Sequence, residues 1–165
     1  MKVLAIDPGY DRVGFAVLEK QPPRRAETVH YSNCFVTVRS HAFVERLRAV
    51  GEEMERLINE TEPDVCAIEK LYFSSNQKTA MAVSEARGVF LYVATQHALP
   101  VFEYTPLEIK SAVTGDGHSD KRQIIAMIPK LVVINKTIRH DDEYDAIAIG
   151  ITCLAREGSA WEKRV

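Results

Sequence analysis

Two short apolar segments that each end in a carboxylate constrain this chain more than any other feature. Lys2–Asp7 (KVLAID) stops at the turn signal Asp-Pro-Gly, and Asp64–Glu69 (DVCAIE) is a continuous apolar run that also closes on an acid. Apolar runs of this length predict buried strands in a sheet covered on both faces. If the two strands are neighbours, Asp7 and Glu69 meet at one edge of the sheet, where open α/β sheets place their ligands.

The remaining elements predict an α/β protein. Val13–Leu18 and Glu27–Val38 complete an antiparallel meander with the first strand, and from Ser40 apolar residues recur every three or four positions, as in an amphipathic helix, until Pro63. A helix (Asn76–His97), a strand (Leu99–Tyr104) and a short helix (Pro106–Val113) follow. Ser119 can cap the next helix, which Pro129 interrupts, and the last helix is Asp142–Arg156. We therefore expect a five-stranded mixed sheet flanked by helices, in a single domain spanning residues 1–165.

Composition narrows the class of protein. The chain has 165 residues, with 23 acidic and 21 basic side chains, so it is not coated in positive charge, although a local basic stripe could still bind nucleic acid. The three cysteines lie far apart, which disfavours a disulfide scaffold or a structural zinc site. No apolar run reaches the length of a membrane span or of a signal-peptide core, so we expect a cytoplasmic protein with no membrane partner.

A third group of acids opens the last predicted helix. Acidic residues are favourable in a first helical turn because they meet the positive end of the helix dipole. Asp145, however, precedes the apolar run 146–151, which should be buried, so its carboxylate needs a partner. Asp142 is three residues before Asp145 and Asp141 is four before it, and either pair shares a helical face, so spacing does not choose between them.

Four carboxylates from two strand ends and one helix predict a site for hard divalent cations. Turn and helix-start preferences explain each acid taken singly, but together they form an oxygen donor set that suits Mg²⁺ or Mn²⁺. Two such ions ~4 Å apart clamp the attacking and leaving oxygens of an in-line phosphoryl displacement. Phosphodiester hydrolysis is the reaction that this arrangement favours.

Several motifs, taken in order, resemble the RuvC family of Holliday junction resolvases, which are crossover junction endodeoxyribonucleases. The matching segments span nearly the whole chain: IDPGYDRVGFAV, AIEKLYFSSN, SEARGV, LPVFEYTPLEIK, GDGHSDK and DDEYDAIAIGIT. The resemblance implies a ribonuclease H-like fold and a homodimer that binds four-way DNA junctions. It also implies Mg²⁺-dependent cleavage of two opposed strands during recombination and repair, with two ions per active site, Mn²⁺ as an alternative, and branch-migration machinery as a candidate partner.

The same resemblance assigns site residues. The catalytic and metal-binding acids of the family fall on Asp7, Glu69, Asp142 and Asp145, and the D-x-x-D-A pattern favours Asp142 over Asp141. The DNA-binding positions fall on Lys110, Lys121 and the loop aromatics Tyr72 and Phe73, where ring stacking on bases is the expected contact. The family uses the helix containing Gly88 in its dimer interface. No role is assigned to His140, and no structure to residues 129–140.

Three other functions compete with this interpretation. A YqgF-like nuclease acting on structured RNA shares the fold and the opening Asp-x-Gly pattern. A non-catalytic junction-binding module would use the acids only for structural ions. A phosphotransferase of the actin and sugar-kinase type could use DPGYDRVG as a phosphate loop, but such enzymes need two domains around the nucleotide, and this chain supplies one.

Overall fold

The computed structural model describes residues 1–20, 27–71 and 77–161. Within them six strands and five helices follow one another along the chain. The strands are β1 (Lys2–Asp7), β2 (Arg12–Glu19), β3 (Glu27–Val36), β4 (Val65–Glu69), β5 (Val101–Tyr104) and β6 (Val132–Val133). The helices are α1 (Phe43–Thr61), α2 (Gln77–Gln96), α3 (Pro106–Thr114), α4 (Lys121–Leu131) and α5 (Asp141–Trp161).

The strands form one mixed sheet in the order β5-β4-β1-β2-β3-β6. The meander β1-β2-β3 is antiparallel, while β4 runs parallel to both β1 and β5. The predicted mixed α/β sheet is confirmed. The sixth strand is a two-residue addition that pairs with the start of β3 and lies in the segment 129–140, for which the sequence predicted no structure. None of the described helices is long and apolar enough to cross a membrane.

The two faces of the sheet are covered by different helices. Val3 and Ala5 of β1 pack in a core with residues of α3, α4 and α5, whereas Leu4 and Ile6 pack in a second core with α1 and α2. This alternation follows from the two-residue period of a strand. Asp7 has the same parity as Val3 and Ala5, so it belongs to the face that α5 covers.

Helix α5 lies directly on β2. A Cβ atom added to Gly150 would be 2.3 Å from Cδ1 of Leu18, so a larger residue there would force the buried Leu18 side chain to shift. At the other end of the contact, a Cβ atom added to Gly14 would overlap the backbone of the first turn of α5. Gly14 and Gly150 thus allow close packing of α5 on β2, from Leu18 to the end of the strand that lies beside Asp7.

The ends of α4 differ from the prediction. Its cap is Asp120 instead of Ser119: Asp120 Oδ1 accepts a hydrogen bond from the amide of Gln123 at 2.9 Å, and Gln123 Oε1 accepts one from the amide of Asp120 at 2.8 Å. Ser119 is buried and bonds to Thr114. Pro129 does not interrupt α4: it lies inside the helix, which ends two residues later at Leu131. Proline removes the hydrogen bond from position 129 to the carbonyl of Ile125, but only two helical residues follow it.

Candidate active site

Asp7 and Glu69 are the last residues of neighbouring strands. Strands β1 and β4 are parallel, with Ile6 opposite Ile68, so the two acids follow side by side at the same edge of the sheet. Glu69 has the same parity as Ala67, which packs in the core on the α5 side. The predicted juxtaposition of these strand ends is therefore present, and both side chains belong to the face that α5 covers.

The first turn of α5 brings Asp142 to the same place. Gly14 is the partner of Asp7 across the antiparallel β1-β2 pair. A Cβ atom on Gly14 would be 1.9 Å from the carbonyl oxygen of Asp142 and 3.1 Å from Cβ of Asp7. The backbone of Asp142 thus lies over β2 and beside Asp7.

The carboxylate of Asp142 has two neighbours from the meander. Arg12 Nε lies 3.4 Å from Asp142 Oδ2, and the Cys34 thiol donates a hydrogen bond to the same oxygen at 3.5 Å. Burial and then the negative charge of Asp142 raise the pKa of Cys34 to about 12, so the thiol stays protonated and able to donate. The sequence did not indicate these contacts, because they depend on the register that places Cys34 opposite Gly14.

Asp145 lies one helical turn after Asp142 in α5, and its carboxylate is paired with Lys121 of α4. The ammonium group of Lys121 donates to Asp145 Oδ2 at 2.9 Å and lies 3.3 Å from Oδ2 of the exposed Asp141. Burial lowers the pKa of Lys121, but its hydrogen bonds to Asp145 and Asp141 outweigh this effect and leave the pKa raised. Burial also raises the pKa of Asp145, against the opposing charge of Lys121. This lysine therefore lies within the acidic site.

A pocket of about 90 Å³ lies between Glu69 and Asp145. Lys110 of α3 contributes to its wall, and the other lining residues are Pro106, Ile109, Ile124, Ala148 and Ile149. Burial and then the carboxylate of Asp145 raise the pKa of Glu69 to about 7, while Lys110 opposes the shift. Both lysines predicted to bind DNA therefore lie beside the acids.

The other three predicted acids all act on Asp7. Burial, followed by the charges of Asp145, Glu69 and Asp142, raises the pKa of Asp7 well above its ordinary range, and Lys121 only partly offsets them. Among the described residues, no side chain forms a hydrogen bond or ion pair with the carboxylate of Asp7. Carboxylates crowded in this way are stable only when protonated or neutralised by cations.

The residues present fit a hard divalent cation. The donor set is made of carboxylate oxygens, which Mg²⁺ and Mn²⁺ prefer. The four carboxylates also carry more negative charge than Lys110 and Lys121, the lysines beside them, carry positive charge. Within the described part of the chain, however, no three His, Cys, Asp or Glu side chains lie close enough together to hold a metal ion. The carboxylates would have to approach one another, or share the ion with several of its waters, when it binds.

Four further residues named in the sequence analysis lie outside the group of four acids or outside the described part of the chain. Tyr72 and Phe73 lie outside the described residues. His140 is exposed, and its carbonyl oxygen accepts a hydrogen bond from the amide of Glu143 at 3.2 Å. Asp141 is exposed; its Oδ2 atom lies 3.3 Å from the ammonium group of Lys121, and its charge adds to the rise in the pKa of Asp145.

The sheet order and the helices on both faces define an α/β protein of the ribonuclease H-like class. The family model described as "Crossover junction endodeoxyribonuclease RuvC" matches residues 3–153. This chain belongs to the RuvC family of crossover junction endodeoxyribonucleases.

Individual relatives agree over nearly the whole chain. A protein of Thermosipho melanesiensis with the same description is 43% identical over 157 residues, which cover 95% of this chain and 98% of the relative. One from Desulfitobacterium hafniense is 42% identical over 151 residues, or 92% of this chain and 90% of the relative. The structure of T. thermophilus RuvC in complex with a Holliday junction substrate superposes with a TM-score of 0.87 at 25% identity, covering 96% of this chain and 97% of that one.

Proposed function

We propose that this chain resolves Holliday junctions by metal-dependent hydrolysis of phosphodiesters in two opposed DNA strands. The observation that carries the proposal is the meeting of Asp7, Glu69, Asp142 and Asp145, from three distant stretches of the chain, around one edge of the sheet. Metal dependence follows from the family. The four acids are the proposed catalytic and metal-binding residues, and the proposed cofactor is a pair of Mg²⁺ ions, with Mn²⁺ as an alternative.

The lysines support a nucleic-acid substrate. Phosphate contacts by cationic side chains fix the register of a DNA strand relative to the site that cuts it. Lys110 lines the pocket beside Glu69, and Lys121 is paired with Asp145, so both are near the place where a scissile phosphate would bind. Tyr72 and Phe73 remain predicted contacts to junction bases. The T. thermophilus relative, which is bound to a Holliday junction, supports a four-way junction as the DNA form.

The metal ions would stabilise negative charge on the attacking and leaving oxygens of the phosphodiester. The protein groups around them have separate tasks. Glu69 and Asp7 supply carboxylates from a rigid sheet edge, whereas Asp142 and Asp145 supply them from α5, so the donors approach from two elements. Lys121 balances charge at Asp145 in the DNA-free protein and is close enough to serve a phosphate oxygen instead.

A homodimer would supply two such sites for the two cuts. Met81 and Tyr92 of α2 are 66% and 64% exposed, so both side chains are accessible to a second copy. No described atom lies within 4 Å of a Cβ added to Gly88, so packing within the chain does not require a glycine there. Val89, by contrast, packs against Gly51 in the core. We propose that α2 packs against a second copy, that residues 1–165 act as one nuclease domain, and that the enzyme works in the cytoplasm.

Cleavage of a labelled four-way junction tests the proposal. With Mg²⁺ we expect paired nicks at symmetric positions in two opposed strands, and none with EDTA. Asp7→Asn should lower the rate by at least about 100-fold, which is typical when an electrostatic group at a reacting centre is lost. Asp116→Asn is the matched control, because Asp116 is exposed and asparagine can still accept the hydrogen bond from the amide of His118.

Three outcomes would contradict the proposal. Full cleavage by Asp7→Asn would exclude the acidic site as the catalyst. Preferential cleavage of structured RNA would support the YqgF-like alternative. Tight junction binding without metal-dependent nicks would support a non-catalytic module.

A further inference from the structure

A fifth acid, Glu143, lies between Asp142 and Asp145 in sequence but faces away from the acidic site. It is 4% exposed. Lys136 Nζ lies 2.6 Å from its Oε2 atom, and the Ser32 hydroxyl donates to the same oxygen at 3.0 Å. Lys136 also donates to the carbonyl oxygen of Ser32. A buried carboxylate is stable only when it is paired and hydrogen-bonded, and these three residues, here called the Glu143 cluster, satisfy that need.

The Glu143 cluster joins three separate parts of the chain. Ser32 comes from β3, Glu143 from the first turn of α5, and Lys136 from the segment between β6 and α5. The side chain of Lys136 is 43% exposed, so it reaches the buried carboxylate from the surface. The cluster therefore ties that connecting segment to both the sheet and the helix.

Strand β3 holds two consecutive acids of α5. Ser32 and Cys34 are its two buried residues, and they share a face because they are two positions apart. Ser32 bonds to Glu143 while Cys34 bonds to Asp142. On the other side, the carbonyl of Asp142 rests on Gly14. The first turn of α5 is thus held by β2 from below and by β3 along its side.

We propose that Lys136 and Glu143 are positioning residues, which fix the first turn of α5 against β3 and so hold Asp142 where it binds a divalent ion. The inference rests on the proposed function, because it assigns a supporting role within that site. Residues that orient a metal ligand typically contribute about 10–100-fold to metal affinity or activity. Ligands must also be held to within about 0.5 Å of the productive geometry, which takes supporting hydrogen bonds as well as packing.

Charge and positioning predict opposite effects for Lys136. If the lysine acted only through its charge, its removal would strengthen cation binding, because one positive charge near the site would be lost. If it positions Asp142, its removal weakens cation binding, because Glu143 loses its partner and the helix start shifts. The sign of the change therefore separates the two roles.

Calorimetric titration of the full-length, DNA-free protein with Mn²⁺ measures that sign. We expect Lys136→Met to bind Mn²⁺ about 10–100-fold more weakly than the unmodified protein. In junction cleavage it should lower kcat and leave KM for the junction little changed, since the proposed role of Lys136 is to position Asp142. Lys130→Met is the matched control, an exposed lysine of α4 whose loss should leave Mn²⁺ affinity unchanged. Equal or tighter Mn²⁺ binding by Lys136→Met would overturn the proposal.

Two further variants guard against a folding defect. Ser32→Ala removes one hydrogen bond to Glu143 and leaves the ion pair, so it should weaken Mn²⁺ binding in the same direction by a smaller factor. Lys136→Arg keeps the positive charge and should restore most of the affinity. Unchanged Mn²⁺ affinity in a folded Ser32→Ala, together with no rescue by Lys136→Arg, would contradict the inference. Because Mn²⁺ binding is measured without DNA, a protein that binds the ion but cuts no junction would refute the proposed function separately.

Discussion

Gly14 of β2 and Asp142 of α5 are in contact through their backbones. A Cβ atom on Gly14 would be 1.9 Å from the carbonyl oxygen and 2.7 Å from the carbonyl carbon of Asp142. The absence of a side chain at position 14 is therefore what allows the first turn of α5 to reach the sheet edge beside Asp7.

The first prediction concerns this contact. Gly14→Ala should displace the start of α5 and lower the free energy of unfolding by about 1–3 kcal/mol, the usual cost of overpacking a core. Metal-dependent cleavage should fall further than stability predicts, because Asp142 moves. Denaturant unfolding and junction cleavage measure the two effects. Gly158→Ala, in the same helix, meets only the flexible Lys20 side chain at 3.8 Å and should be neutral or stabilising. A fully active, equally stable Gly14→Ala would contradict this account.

The second prediction concerns metal removal. Because burial and then the neighbouring carboxylates disfavour the charged form of Asp7, Asp7→Asn should raise the thermal midpoint in EDTA at pH 8. Each kcal/mol of relief corresponds to about 2–4 °C for a domain of this size. Mg²⁺ should then raise the midpoint of the unmodified protein more than that of the variant, since ligand binding stabilises the folded state. Identical responses to EDTA and Mg²⁺ in both proteins would argue against Asp7 as a metal ligand.

The third prediction concerns DNA contacts. Lys110→Met and Lys121→Met should each weaken junction binding and reduce the slope of log affinity against log salt by about 1, the expected result of losing one phosphate contact. Fluorescence anisotropy between low and moderate salt, with Ca²⁺ or EDTA to prevent cleavage, gives the slopes. Lys130→Met on α4 serves as the comparison. A slope unchanged in either variant would remove that lysine from the DNA contact surface.

The fourth prediction concerns the α2 surface. Gly88→Leu should stabilise α2 within one chain by about 0.5–1 kcal/mol, because glycine is unfavourable inside a helix and the space beside it is open. The same side chain should block a close approach by a second copy. Sedimentation velocity should therefore show a weaker dimer, while circular dichroism shows a folded protein. A dimer of unchanged affinity would place the interface elsewhere.

The fifth prediction concerns pH and Glu27, at the start of β3. Its Oε2 atom is buried without a hydrogen-bond partner in the described structure, and burial raises the pKa of Glu27 from 4.5 to about 7, against the charge of Lys20. The folded state thus holds this proton more tightly than the unfolded state, and the stability it contributes is lost as pH rises from about 4.5 to 7. Glu27→Gln should unfold at a higher temperature than the unmodified protein at pH 8 and at a similar temperature at pH 4.5. A difference that does not change with pH would contradict this.

Much of the sheet could be predicted because it depends on local patterns. The apolar runs that end at Asp7 and Glu69 predict strands buried on both faces, and both strands do lie in the interior of the sheet. The choice between Asp141 and Asp142 could not be made from helical spacing, since both share a face with Asp145. The resemblance favoured Asp142, and the structure places its backbone on Gly14.

What the sequence could not predict depends on contacts between distant segments. The bond from Cys34 to Asp142 requires the β2-β3 register and the docking of α5, neither of which local composition encodes. In the sequence, Glu143 is one more acid in the first turn of a helix, because its partner Lys136 lies in a segment without a periodic pattern. Ser119 and Asp120 are both good helix caps, and only the bonds of Asp120 with Gln123 distinguish them.

The acids of the proposed site come from segments that lie far apart in the sequence. Asp7 and Glu69 leave the ribosome early, whereas Asp142 and Asp145 follow only after α4 and β6 have been made. A nascent chain that ends before α5 would therefore carry only half of the proposed donor set. Nuclease activity would then appear only after α5 has been synthesised and has docked onto β2.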